Sequence, residues 1–101
     1  MLPPEDGAGV KTHYLKTWPE PFAAIVDGRK TFEVRVNDRG FEVGDRLVLQ
    51  EYEPGSAEFT GANVSAGVTY MLQGVFGLPP DVCVMGFRWL VKAPKMAGGE
   101  R

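Results

Sequence analysis

The charged residues in segment 28–45 are the part of this sequence best suited to chemistry. Lys30 and Glu33 stand three positions apart, and a lysine amine beside a carboxylate makes a pair that can donate and accept protons. Lys30 and Glu33 are therefore the candidate catalytic residues. Each also has a structural interpretation that stays open: Lys30 as a solvated residue after a helix, and Glu33 as the ion-pair partner of Arg35.

Arg35 and Arg39 add two guanidinium groups, whose planar forks suit bidentate contacts with phosphate. The alternatives are an ion pair between Arg35 and Glu33, and a solvated surface turn at Arg39. Asn37 is a further candidate for ligand binding, but turn formation is the favoured role of Asn37 and Asp38, since Asn and Asp support chain reversals. The Asp38 carboxylate is expected to cap backbone N–H groups in that turn.

Three earlier residues complete the candidate nucleotide- or RNA-binding set. His13 is the only histidine of the chain, and histidine is the side chain that titrates nearest neutral pH. A lone histidine on a first strand is nevertheless more often structural. Lys16 is a second cation for the site, or a solvated residue. Trp18 offers a ring on which a base stacks, or else a hydrophobic staple at a helix start.

The segment that carries these residues alternates apolar and polar side chains with the period of a β-strand. Phe32, Val34 and Val36 share one parity, while Glu33 and Arg35 share the other. The pattern predicts a strand over residues 31–36 that turns the Phe and Val side chains into the core. Glu33 and Arg35 are then expected to line a polar face.

The remaining pattern predicts one helix and four further strands. Pro19 and Pro21 open a helix of about ten residues, capped at position 17 or 18, and Gly28 ends it in a left-handed conformation. Strands are predicted over residues 12–16, 46–52, 64–72 and 82–91. Tyr70 and Trp89 are assigned to the core by strand parity. The last strand is so apolar that burial on both faces is expected.

This order, β-α-β-β-β-β, predicts a mainly β fold (α+β class), a small curled sheet or partly closed barrel that one early helix caps. At 101 residues the chain is one domain. We place the domain at residues 12–92, between a flexible N-terminal tail at 1–11 and a flexible C-terminal tail at 93–101.

Composition excludes several classes of function. A net charge of −2 argues against indiscriminate binding to nucleic acid, and no apolar run is long enough to span a membrane. A single cysteine, Cys83, lies in an apolar run and is expected to be a buried, unreactive thiol. With one His and one Cys we expect no metal site, and no nucleotide-loop or zinc motif implies a cofactor. The absence of a signal peptide favours a cytoplasmic location.

The order of these residues resembles the ASCH domain family, a branch of the PUA-like β-barrels, and in particular its small phage and bacterial members of unassigned function. The resemblance covers about residues 12–90. The matching positions are His13, Leu15, Lys16, Trp18, Pro19, Gly28, Lys30, Glu33, Arg35, Asn37, Asp38, Arg39, Phe41, Val43, Gly44, Asp45, Val68, Thr69 and Tyr70.

The resemblance implies a PUA-like barrel with a ligand cleft between helix and barrel, beside the Gly28-x-Lys30 segment. Related proteins bind RNA or modified nucleosides, and some small members hydrolyse the amide of N4-acetylcytidine with the lysine at this position. Those enzymes have a threonine where this chain has Glu33, and no downstream glutamate of theirs aligns here. Other members are linked to RNA cleavage.

Three hypotheses follow. The first is an RNA- or nucleotide-binding domain that uses Lys16, Trp18, Lys30, Glu33, Arg35 and Arg39. The second is a hydrolase of an acylated nucleoside or of RNA, with Lys30 and Glu33 as its acid/base pair. The third is an interaction module without catalysis.

Overall fold

The structure, a computed structural model, describes residues 10–91 and contains five strands and one helix. The elements are β1 (Thr12–Thr17), α1 (Pro19–Val26), β2 (Phe32–Val36), β3 (Arg46–Glu53), β4 (Glu58–Gln73) and β5 (Val82–Val91). This confirms the predicted order and the mainly β class. The predicted tails lie outside the described residues, apart from positions 10 and 11.

The strands form one sheet in the order β1-β3-β4-β5-β2, curled into half a barrel. β1 pairs with β3 in parallel, and the other pairs are antiparallel. β1 and β2 are therefore the two edge strands, although only one short helix separates them in the sequence. The opening of the half-barrel lies between these two edges.

Helix α1 covers one end of the core. Trp18 is its N-cap residue and makes no side-chain capping bond, while Pro19 begins the first turn. Phe22 and Ile25 are buried and join the core cluster of Leu15, Leu47, Leu49, Met85 and others. Gly28 has a φ of +85°, which confirms the predicted left-handed end of the helix.

The predicted faces of β2 are wrong. Glu33 is buried and Arg35 half-buried, whereas Phe32, Val34 and Val36 are exposed. The register explains the reversal, since Glu33 lies opposite Met85 and residues that pair directly across two strands share a face of the sheet. Met85 is fully buried, so its partner must point inward too.

β4 and β5 require two further corrections. A register shift between Val68 and Tyr70 turns the Tyr70 side chain outward, so its assignment to the core is wrong. β5 is not buried on both faces: Cys83, Met85 and Phe87 are buried, and the alternate positions are half-buried or exposed. Trp89 packs against the core as predicted.

β4 also begins earlier than predicted, at Glu58, because the hairpin turn before it is short. The turn after β2 is held by Asn37, whose Oδ1 accepts a hydrogen bond of 2.8 Å from the Phe41 N–H. The sequence predicts this capping role for Asp38, but the Asp38 side chain is largely exposed and Asn37 caps the turn instead. No helix within residues 10–91 is long and apolar enough to cross a bilayer.

Candidate ligand-binding groove

A groove of about 360 Å³ opens between the two edge strands, at the point where β1 runs into α1. We call this cavity the groove. Its lining residues are Lys16, Thr17, Trp18, Pro21, Lys30, Glu33, Val34, Arg35 and Val36. A volume of this size falls at the lower end of the range of small-molecule sites and suits one nucleotide better than a larger ligand.

The floor of the groove holds a carboxylate between two cations. Lys30 Nζ donates to Glu33 Oε1 at 2.9 Å, and Arg35 Nε donates to Glu33 Oε2 at 2.8 Å. Glu33 is only 6% exposed, whereas both cations remain partly open to solvent. A carboxylate this buried needs charged partners, since an uncompensated buried charge is costly. The three groups together carry one net positive charge.

Two arginines connect β2 and its following loop to the edge of β1. Arg35 Nη2 donates to the main-chain carbonyl of Lys16 at 2.7 Å, and Arg39 Nη1 donates to the carbonyl of Tyr14 at 2.9 Å. These carbonyls lie on the edge of β1 that faces away from β3, because the main chain of β1 alternates between its two sides in a parallel ladder. Guanidinium groups thus take the place of backbone pairing across the opening.

The rim of the groove is aromatic and basic. Trp18 is 58% exposed, and it lies between the end of β1 and the first turn of α1. The Lys16 Nζ lies 4.4 Å from the centre of the Tyr52 ring, in a cation–π arrangement. An exposed indole beside cations offers both a stacking surface and positive charge to a ligand.

The structure brings together five of the eight candidate residues. Lys16, Trp18, Lys30, Glu33 and Arg35 all line the groove. Arg39 lies beside it and is engaged with β1, but it does not line the cavity.

His13 and Asn37 lie elsewhere, so their assignment to a binding site is not supported by position. His13 and Lys16 lie on opposite faces of β1. The His13 side chain is buried on the core side of the strand. The Asn37 amide donates to Gln73 Oε1 at 2.7 Å, and its oxygen is used in the turn. Each of these side chains serves the fold.

The sequence interpretation missed the partner of His13. His13 Nε2 lies 2.8 Å from Asp45 Oδ2, and Asp45 is 1% exposed. The Asp45 carboxylate also accepts from the N–H of Glu42 at 3.0 Å and from the N–H of Lys11 at 3.3 Å. The acidic residue that follows Gly44 was the available signal in the sequence. Its spacing gave no indication that Asp45 lies next to His13 in the fold.

Cys83 is buried, as predicted, and burial raises the pKa of its thiol above the ordinary value. A thiol that resists ionisation is a poor nucleophile. Within residues 10–91, no three His, Cys, Asp or Glu side chains gather into a cluster able to hold a metal ion.

The fold and the groove together define a small, mainly β domain with a basic, aromatic-rimmed groove at the opening of its sheet. The profile of the family described as "Domain of unknown function (DUF3850)" matches residues 12–87, and the chain belongs to that family.

A related protein comes from Escherichia phage P2, where it is described as "Uncharacterized 12.9 kDa protein in GpA 3'region". The two sequences are 39% identical over 59 residues, which are 58% of this chain and 52% of the phage protein. The match therefore spans about half the length of that relative.

Proposed function

We propose that the groove binds a nucleotide unit of RNA, with Trp18 stacking on the base and with Lys16, Lys30 and Arg35 facing the phosphate. The observation that carries the proposal is that the exposed Trp18 lines the same cavity as the positively charged Lys30–Glu33–Arg35 cluster. Stacking and phosphate contacts are the two sources of affinity that single-stranded nucleic acid offers. The resemblance to ASCH and PUA-like proteins supports the same ligand class and remains a prediction.

The cations have hydrogen-bonding capacity left for such a ligand. An ammonium group has three donors, and Lys30 uses two of them, on Glu33 Oε1 and on the Phe32 carbonyl. Arg35 has five N–H groups and likewise uses two of them in the bonds described above. The Glu33 carboxylate therefore holds the two cations in place without exhausting them.

The test is binding of a labelled single-stranded RNA across a salt series, with wild type, Lys16→Ala and Trp18→Ala. The logarithm of the binding constant should fall linearly with the logarithm of the salt concentration, with a slope of about −0.7 for each phosphate neutralised. Lys16→Ala should reduce that slope by about one such contact, and Trp18→Ala should lose about 1–3 kcal/mol of stacking.

Two exposed residues outside the groove provide matched controls. Arg88→Ala removes a cation and Phe76→Ala removes an aromatic ring, and neither residue lines the cavity. Both controls should bind RNA as the wild type does. Wild-type protein that shows no salt-dependent binding, or groove variants that behave like the controls, would exclude the proposal.

A second candidate function rests on the 2.9 Å contact between Lys30 Nζ and Glu33 Oε1 inside the groove. We propose hydrolysis of an acylated nucleoside as the alternative, with Lys30 and Glu33 as the acid/base pair. Hydrolysis of such an amide adds water across the C–N bond, so one group accepts a proton from water and another protonates the leaving amine.

N4-acetylcytidine is the probe for this alternative, with release of cytidine and acetate as the readout. Lys30→Ala should abolish turnover, whereas Arg29→Ala, which removes the neighbouring exposed cation, should retain it. Wild-type protein without turnover removes this candidate and leaves the binding proposal untouched.

A further inference from the structure

The open edge of β2 carries polar main-chain groups that the cationic groove leaves available. The β2–β5 ladder runs without a register shift from Phe32 to Val36. At its two ends the N–H of Asn37 donates to the Asp81 carbonyl, and the N–H of Phe87 donates to the Thr31 carbonyl. Antiparallel pairing alternates, so the odd-numbered residues of β2 bond to β5 and the even-numbered residues face away from it.

Two of the outward-facing carbonyls are already engaged. The Phe32 carbonyl accepts from Lys30 Nζ at 2.7 Å, and the Val36 carbonyl accepts from the N–H of Asp38 at 2.9 Å. Both contacts confirm the direction that the ladder assigns to this edge. Between them, the ladder leaves the N–H and the C=O of Val34 directed toward the groove, which Val34 itself lines.

We infer that the main-chain N–H and C=O of Val34 read the hydrogen-bonding edge of one unpaired nucleobase, an assignment that rests on the proposed function. A phosphate group accepts hydrogen bonds only, so it matches the N–H and is repelled by the carbonyl. A nucleobase presents a donor and an acceptor side by side on its Watson–Crick edge, which complements a strand's N–H and C=O pair. The ligand class is therefore a single-stranded nucleic acid, which the proposed function takes to be RNA.

The surroundings of Val34 favour a base over an extended peptide. A peptide that adds a strand gains from a continuous row of main-chain partners. On this edge the carbonyls on either side of Val34 are occupied, so only a short stretch is available. The exposed Trp18 ring and the Lys16 ammonium line the same cavity, and a flat ring with cations beside it suits a nucleotide.

This edge allows a direct test of a main-chain contact. Proline is tolerated in an edge strand where its missing N–H faces away from the sheet, so Val34→Pro should fold while losing the proposed donor. Val34→Ala keeps the N–H and removes most of the same side chain, which makes it the matched control. Circular dichroism and thermal melting establish that each variant is folded.

The probes are a short oligouridine RNA and the same RNA built from N3-methyluridine, whose Watson–Crick donor is replaced by a methyl group. Binding of oligouridine to Val34→Pro should be about tenfold weaker than to Val34→Ala, the effect of one lost hydrogen bond to a base. Methylation should weaken binding to the wild type by a similar factor, because it removes the donor that faces the Val34 carbonyl. Val34→Pro keeps this carbonyl and should remain sensitive to methylation.

Equal binding by Val34→Pro and Val34→Ala would overturn the inference, as would equal binding of the two RNAs by the wild type. If Val34→Pro does not fold, the comparison of the two RNAs on wild-type protein decides alone. Salt-dependent binding that is unaffected by Val34→Pro and by N3-methylation of the RNA would overturn the inference about Val34. The proposed function would then still stand. Absence of binding by wild type to any single strand overturns both.

Discussion

The guanidinium of Arg35 donates a hydrogen bond of 2.7 Å to the main-chain carbonyl of Lys16, across the opening between the two edge strands of the sheet. The same side chain holds Glu33 at 2.8 Å. One residue therefore stabilises the open side of the half-barrel and orders the floor of the groove. This double role links the stability of the fold to the shape of the site.

Arg35→Ala should destabilise the domain by about 2 kcal/mol, since it removes a charge-assisted bond to a buried carboxylate and a bond to an edge carbonyl. The measurement is urea unfolding followed by circular dichroism. Arg29→Ala is the control, because Arg29 is exposed and, among residues 10–91, its side chain pairs only with the exposed Asp27 in its own turn. A loss no larger than that of Arg29→Ala would show that Arg35 does not hold the opening.

Glu33→Gln should also lower the free energy of unfolding, by about 2 kcal/mol. The amide keeps the shape of the carboxylate but loses the negative charge that both Lys30 and Arg35 contact, so the two cations repel each other without compensation. The control is Glu58→Gln, which changes an exposed glutamate at the start of β4. Equal denaturant midpoints for Glu33→Gln and Glu58→Gln would show that the charge of Glu33 does not stabilise the fold.

Asp45→Ala should cost about 3 kcal/mol, because it leaves the buried His13 ring and two part-buried main-chain N–H groups without their acceptor. Asp38→Ala removes a largely exposed carboxylate and should cost less than about 0.5 kcal/mol. Thermal melting of both variants provides the comparison. Similar melting temperatures for the two would contradict a structural role for the His13–Asp45 pair.

Cys83 should react slowly with iodoacetamide in the folded protein and rapidly after denaturation, since burial raises the pKa of its thiol and blocks access. The folded state keeps the thiol proton to a higher pH than the unfolded state does. Stability linked to Cys83 is therefore present below the ordinary thiol pKa and is lost as the pH rises through the raised value. Cys83→Ala should remove this alkaline dependence; native labelling as fast as that of the denatured chain would refute the assignment.

Local sequence patterns are enough to predict the order of the helix and strands. Strand periodicity, the two prolines in the first turn of α1 and the glycine after the helix determine the element order, and the end of the helix at Gly28 follows from its backbone freedom. Five of the candidate residues meet in one groove because they come from two short segments that flank the same helix. Local patterns of this kind depend on neighbours within a few positions, so the sequence is enough to predict them.

Tertiary structure alone decided which face of β2 is buried. The apolar alternation of Phe32, Val34 and Val36 indicated the core, but the neighbouring strand β5 is apolar at both parities and gives no local sign of its inner face. The register that sets Glu33 opposite Met85 depends on how the whole sheet curls. The bond from Arg35 to Lys16 joins residues 19 positions apart, and the pair of His13 with Asp45 joins residues 32 apart. Contacts at such separations form only when the sheet curls and brings distant parts of the chain together. Local sequence therefore carries no signal for them.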